Sequence, residues 1–175
     1  MKKICLFFIF ALALLIPATG CFAGGPWRGK VIETETKKPI EGAVVVAVWY
    51  SETTLNPAGS SSVPMNVVET ETNAKGEFYF SSKYFLDVPI LRQVTGPDFL
   101  VYKPGYDVFQ ISYVSKEHPL YKNELAIIER QKLEKKEDRL KAYDWAGSFG
   151  LRFRESTPKL NKLRNSERKF LGFND

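Results

Sequence analysis

The sequence predicts a mainly β domain, a sandwich of seven short strands followed by an extension of two helices. Three observations lead there. From Trp27 to about Glu129, runs of β-branched and aromatic residues alternate with turn residues, with no helical period between them. Val44-Val45-Val46-Ala47-Val48-Trp49-Tyr50 is continuously apolar, as suits a strand buried on at least one face. At Glu129 the composition turns to Lys, Arg, Glu and Leu, the residues of good helices. The 175 residues leave room for one domain and some added structure.

The first residues form a separate unit. Lys2 and Lys3 supply positive charge, Ile4 to Ile16 is almost wholly apolar, and Pro17-Ala18-Thr19-Gly20 ends the run. That order is the order of a secretory signal, expected over residues 1–23. The apolar run is shorter than the ~20 residues a membrane-crossing helix needs. Two processing routes are open. Ala18-Thr19-Gly20-Cys21 resembles a lipobox, which ends the signal at residue 20 and makes Cys21 the candidate lipid-attachment site; Cys21-Phe22-Ala23 offers ordinary cleavage after Ala23. The expected location is therefore periplasmic or extracellular, with lipoprotein anchoring on the first route.

The domain proper is expected over residues 24–129. Arg28 to Glu33 reads as a strand, Thr36-Lys37-Lys38-Pro39 as a turn, and Val44 to Tyr50 as the central strand. Ser51 to Pro64, rich in Ser, Thr, Pro, Gly and Asn, reads as a long surface loop. Met65 to Thr72 and Glu77 to Phe80 read as a hairpin about Asn73-Ala74-Lys75-Gly76, since Asn and Gly tolerate the positive φ of tight turns. Phe99 to Tyr102, Asp107 to Val114 and Leu125 to Ile128 complete the strands, the first two joined by Lys103-Pro104-Gly105-Tyr106. Val44, Val46, Val48, Phe78 and Phe80 are expected to share one core.

The extension covers residues 130–175. Arg130 to Tyr143 reads as a helix with Leu133 and Leu140 on one face and Glu137 placed to pair with Lys141, interrupted at Gly147-Ser148-Phe149-Gly150. Ser156-Thr157-Pro158 starts a second helix, with a hydroxyl to cap and proline at the first position. Leu160, Leu163, Phe170 and Leu171 give that helix an apolar stripe, which predicts packing onto the strands.

Residue inventory removes several chemistries. Cys5 lies in the signal and Cys21 is either lipidated or removed, so the mature domain has no disulfide, no thiolate nucleophile and no cysteine-bound zinc. His118 is the single histidine, set in the polar stretch Ser115-Lys116-Glu117-His118-Pro119, which reads as a solvated turn. No catalytic residue, metal site or cofactor is assigned. Glu69, Glu71 and Asp107 are the carboxylates on which a hydrolase would have to be built.

Gly29-Lys30-Val31-Ile32 with Lys38-Pro39-Ile40-Glu41-Gly42-Ala43-Val44, then Thr70 to Phe80, then Val101-Tyr102-Lys103-Pro104-Gly105-Tyr106 follow one another in order. In these three motifs the chain resembles the carboxypeptidase-regulatory-like, or transthyretin-like, domains. The resemblance covers about half the chain. It implies a seven-stranded immunoglobulin-like sandwich, commonly an accessory module on exported bacterial proteins, and it implies no single function. One branch of that family hydrolyses 5-hydroxyisourate with several histidines and a C-terminal Tyr-Arg-Gly-Ser; this chain has one histidine and ends Phe173-Asn174-Asp175. Another branch forms Lys–Asn isopeptide bonds. Lys30 is the corresponding lysine, but Gly29 and Val31 on either side are the residues expected to face inward.

The formal charge of +5 is unevenly spread. Residues 22–129 hold ten basic and thirteen acidic side chains, and residues 130–175 hold thirteen basic and seven acidic. A basic helical extension on a mildly acidic domain favours polyanions. In an exported chain those are anionic membrane surfaces or glycans rather than nucleic acid. The sequence thus predicts a non-catalytic envelope or surface module that contacts a protein, a glycan or a membrane surface, with a small carboxylate-dependent hydrolase as the alternative.

Overall fold

The fold is organised around the longest apolar run, which the computed structural model places at the centre of a four-stranded sheet. Residues 21–22, 24–53, 61–85, 92–112, 118–122 and 124–173 are described. Of the expected signal, residues 1–23, residues 1–20 and Ala23 lie outside them. The strands are β1 (Cys21–Phe22), β2 (Trp27–Glu33), β3 (Val44–Thr53), β4 (Ser62–Glu71), β5 (Glu77–Phe80), β6 (Tyr84–Phe85), β7 (Arg92–Tyr102), β8 (Phe109–Ile111), β9 (Tyr121–Lys122) and β10 (Leu125–Arg130). One sheet has the order β5-β2-β10-β9 and the other β4-β3-β7-β8, with β1 and β6 forming a short ribbon. β10 runs parallel to β2, and the other pairs are antiparallel. The described residues carry ten strands rather than seven, because β1, β6 and β9 are two-residue ladders that leave no apolar run to read.

β3 is buried on both faces, and this corrects the expectation of one core. Side chains alternate along a strand, so consecutive valines face opposite ways. Val45, Ala47 and Trp49 join Trp27, Val31, Phe78, Phe80, Phe99 and Ile128 between the two sheets. Val44, Val46, Val48 and Tyr50, with Leu100 and Tyr102, face the other side and meet Ala146, Phe153 and Leu160 of the helical extension. The valines assigned to the core with Phe78 and Phe80 therefore lie in a second core, between sheet and helices. Each fully buried valine contributes about 1.5–3 kcal/mol, so covering this outer face is a large part of the fold's stability.

The expected Ser51–Pro64 loop is much shorter. β3 continues through Thr53 and β4 begins at Ser62, with Ser51 paired to Val63 on one side and to Val94 on the other. Polar residues stay in strand conformation here because neighbouring backbones satisfy them on both sides, and because Arg92 donates to the hydroxyl and the carbonyl of Ser51, each at 2.6 Å. What remains of that loop, residues 54–60, lies outside the described residues. β7 likewise starts at Arg92, seven residues before the apolar run that announced it. The Asn73–Gly76 turn forms as read: Asn73 Oδ1 accepts from the Lys75 and Glu77 amides, both at 2.9 Å, and Gly76 adopts φ +73°. A Cβ at Gly76 would also lie 2.4 Å from the Val31 carbonyl oxygen, so only glycine fits.

The extension forms α1 (Lys136–Arg152), a 3₁₀ turn (Arg154–Ser156) and α2 (Pro158–Leu171). α1 begins six residues later than predicted. Arg130 is the last residue of β10, and the segment after it is tied back by Leu133 N–H to Gly105 O at 2.8 Å and by Gln131 N–H to Asp107 Oδ1 at 2.7 Å. Leu133 thus lies before the helix, and Lys141 bonds Asp138 instead of Glu137. Gly147 and Gly150 do not interrupt α1; both are buried within it. A Cβ on Gly147 would stand 2.4 Å from the Arg164 guanidinium, so the glycine leaves room for that side chain to lie against α1. In α2, Leu160 and Leu171 are buried and Leu163 packs against the cluster that holds Leu160, whereas Phe170 is exposed and is not part of the stripe.

Candidate functional site

α2 is fixed to the sheet by a strand residue. Both carboxylate oxygens of Glu69, on β4, accept backbone N–H groups of the first turn of α2: Lys159 at 2.5 Å and Leu160 at 3.0 Å. Glu69 supplies the cap expected from Thr157, and its charge sits at the positive end of the helix dipole. Thr157 is buried and donates its hydroxyl backward to the Phe153 carbonyl, at 2.9 Å. Sequence reasoning missed this cap because donor and acceptor are about ninety residues apart.

The second tie joins the two helices. Arg139 of α1 donates Nε and Nη2 to the two oxygens of Glu167 on α2, both at 2.7 Å, in a bidentate pair. Glu167 is 2 % exposed. Its hydrogen bonds hold the Arg139 guanidinium above its ordinary pKa. The same guanidinium covers the ring of Phe170 at 3.7 Å, and Arg164 lies over Tyr143 at 4.8 Å. The buried hydroxyl of Tyr102 has no hydrogen-bond partner; burial first, and the charge of Glu167 second, push its pKa far up.

Burying Glu167 decides the character of the outer surface. Among the charged residues of α2, it is the one acid. Lys159, Lys162 and Lys169 are exposed, and Arg154, Glu155, Asn161, Lys162, Asn165 and Lys169 line an open groove of about 760 Å³ along the helix. A face that holds three lysines and no carboxylate of its own helix can attract acidic groups at modest range. A second open groove, of about 630 Å³, is lined by Arg28, Thr70, Glu71, Asn73, Glu77 and Tyr79. There the exposed Tyr79 ring faces Arg28 at 5.5 Å, and the Asn73 amide donates to Glu77 at 3.1 Å.

The carboxylates singled out from the sequence are not assembled into one site. Glu69 caps α2, and Asp107 accepts from the Gln131 amide and from Arg130 at 3.2 Å. Glu71 borders the second groove. His118 is half-buried in a turn, its Nδ1 accepting the Leu120 N–H at 3.2 Å. Lys30 lies in β2 between two buried neighbours, Gly29 and Val31, so the inward positions are those expected. Among the described residues, no group of three His, Cys, Asp or Glu stands close enough to hold a metal, and no helix is long and apolar enough to cross a membrane. Cys21 is the first residue of β1, opposite Phe85 of β6.

No protein family, no curated protein and no solved structure matches this chain.

Proposed function

We propose that the protein is an exported, non-catalytic module of the cell envelope, of the transthyretin-like sandwich type, that binds an acidic partner through the outer face of α2. The leader-like start of the sequence supports export, and the three motifs quoted above support the fold type. The observation that carries the binding reading is the burial of Glu167 against Arg139, which leaves α2 with an exposed face of lysines. Two of the three carboxylates a hydrolase would need are engaged by backbone amides, and this favours the binding reading over the enzymatic one. The partner is an acidic glycan or the acidic surface of an envelope protein, held by screened, salt-sensitive attraction.

The test is chromatography of the processed chain on immobilised heparin, a generic acidic polysaccharide. Replacing Lys159, Lys162 and Lys169 together by Gln should lower the salt needed for elution and leave the thermal unfolding curve in place. Elution of the variant at the wild-type salt concentration would remove the reading.

A further inference from the structure

The groove along α2 holds more than cations. Arg154, Lys162 and Lys169 share it with one carboxylate, Glu155, and with the neutral groups of Asn165 and Ser166. Lys159 is exposed but does not line it. Pro158 is the one apolar side chain in the lining. One wall is fixed from within the chain: the Asn161 amide donates to the Arg154 carbonyl at 2.9 Å and so ties the 3₁₀ turn to the helix. The Ser166 hydroxyl donates to the Leu163 carbonyl at 2.7 Å, which leaves its lone pairs as acceptors. Among the described residues, the side chains of Glu155, Lys162, Asn165 and Lys169 have no hydrogen-bonding or ionic partner. Their polar groups are free to meet a ligand.

The composition discriminates between acidic partners. A protein surface binds through aromatic, Met and Arg anchors in a dry centre from which Lys and Ser are depleted. This groove has lysines and a serine and no aromatic or aliphatic anchor. A polymer that carries acceptors alone would meet Glu155 as repulsion. An acidic sugar polymer presents acid groups to the lysines, and it also presents hydroxyls, which donate as well as accept. Glu155 accepts from such hydroxyls, Asn165 does both, and Ser166 accepts. Resting on the reading of α2 as the face that binds an acidic partner, we infer that this partner is an acidic polysaccharide, its acid groups held by the cations and its hydroxyls met by Glu155, Asn165 and Ser166. From Pro158 to Lys169 the helix rises about 16 Å, with Lys162 and Lys169 roughly two turns apart, so several linked sugars can lie along it. The cations supply attraction that salt screens, and the uncharged groups supply selection.

The experiment titrates the processed chain, isotopically labelled for amide NMR, with three oligomers at one ionic strength. They are hexagalacturonate, a hexaglutamate peptide with the same number of side-chain carboxylates, and a neutral galactose hexamer. Hexagalacturonate should bind about tenfold more tightly than either of the others, with the amide shifts centred on residues 154–169. Asn165→Ala should weaken hexagalacturonate about fivefold, the worth of one lost hydrogen bond, and leave hexaglutamate as it was. Equal affinity for hexagalacturonate and hexaglutamate would overturn the inference and make an acidic protein surface the partner. Shifts centred elsewhere, no binding of hexagalacturonate, or an unchanged affinity in Asn165→Ala would overturn it too. None of these results alters the heparin comparison of the lysine variant. A wild-type chain that heparin does not retain removes the acidic-partner reading itself, so the two readings fail separately.

Discussion

Glu69, on a strand, accepts the N–H groups of both Lys159 and Leu160 with its two carboxylate oxygens and so closes the start of helix α2 from the sheet. A cap supplied in this way is a long-range contact and a local one together. Glu69→Ala should cost about 1–2 kcal/mol, the usual worth of an N-cap. Glu69→Gln, which keeps an acceptor and loses the charge at the dipole, should cost roughly 0.3–1 kcal/mol. Urea unfolding measures both. Limited proteolysis should show faster cleavage between α1 and α2 in the alanine variant, and equal rates in wild type and variant would mean that the cap does not hold the helix down.

The Arg139–Glu167 pair is predicted to behave as a buried charge pair does. Glu167→Ala leaves a guanidinium against the sheet without its partner and should destabilise by about 3 kcal/mol or more. Replacing both residues together, Arg139→Met with Glu167→Leu, should recover most of that loss, since a well-packed apolar pair removes the cost of two desolvated charges. A double-mutant cycle in denaturant reads the coupling. If the double variant is as unstable as the sum of the single ones, the pair is not a unit.

Tyr102 is predicted to be better as phenylalanine for stability. Its hydroxyl is buried with no hydrogen-bond partner, so Tyr102→Phe should gain about 1 kcal/mol. The alkaline limb of the stability profile follows from the same burial. Tyr102 and Tyr121 both have pKa values raised, chiefly by desolvation, above the ordinary tyrosine value. In the unfolded chain a tyrosine ionises near pH ~10. Above that pH the unfolded state gives up protons that the folded state keeps, so stability is level below about pH 10 and falls above it, by up to ~1.4 kcal/mol per pH unit for each such group. Tyr102→Phe should make that fall shallower. A pH titration of urea midpoints between neutral and alkaline conditions checks the slope, and an unchanged slope would place the phenol in water.

What the sequence could show of this fold is whatever leaves a local pattern. The Asn73–Gly76 turn, the run Val44 to Tyr50 and the leucines of α2 are all short-range signals, and the element types follow from them. The boundaries that failed were set by partners distant in the chain. Ser51 and Glu52 are strand residues because β4 and β7 flank them. The start of α1 is delayed because residues 131–133 bond the turn around Gly105 and Asp107. The burial of Glu167 was not legible either: a Lys/Glu-rich helix reads as solvated on every charged position, and only the facing Arg139 makes one of them interior. The basic character of the extension was visible as a count. That the count resolves into a lysine face on α2 depends on which acid is buried.

The double burial of β3 leads to the last prediction. A chain ending at Lys132 keeps all ten strands and the Gln131–Asp107 bond, and removes α1 and α2. It uncovers Val44, Val46, Val48, Tyr50, Leu100 and Tyr102 along one face of the sheet. At about 1.5–3 kcal/mol for each large side chain returned to water, the loss is comparable with the whole stability of ~5–15 kcal/mol of an ordinary domain. The truncated chain should therefore be unfolded or aggregated, and should bind a hydrophobic dye where the full-length protein does not. An extension that merely trails from a finished domain would give the opposite result: a soluble truncated chain with its full denaturant midpoint. In that case the six side chains would have to tolerate water. Replacing Val46 and Val48 by Thr in the full-length protein would then cost almost nothing, whereas burial under Leu160 and Phe153 predicts a clear loss for each.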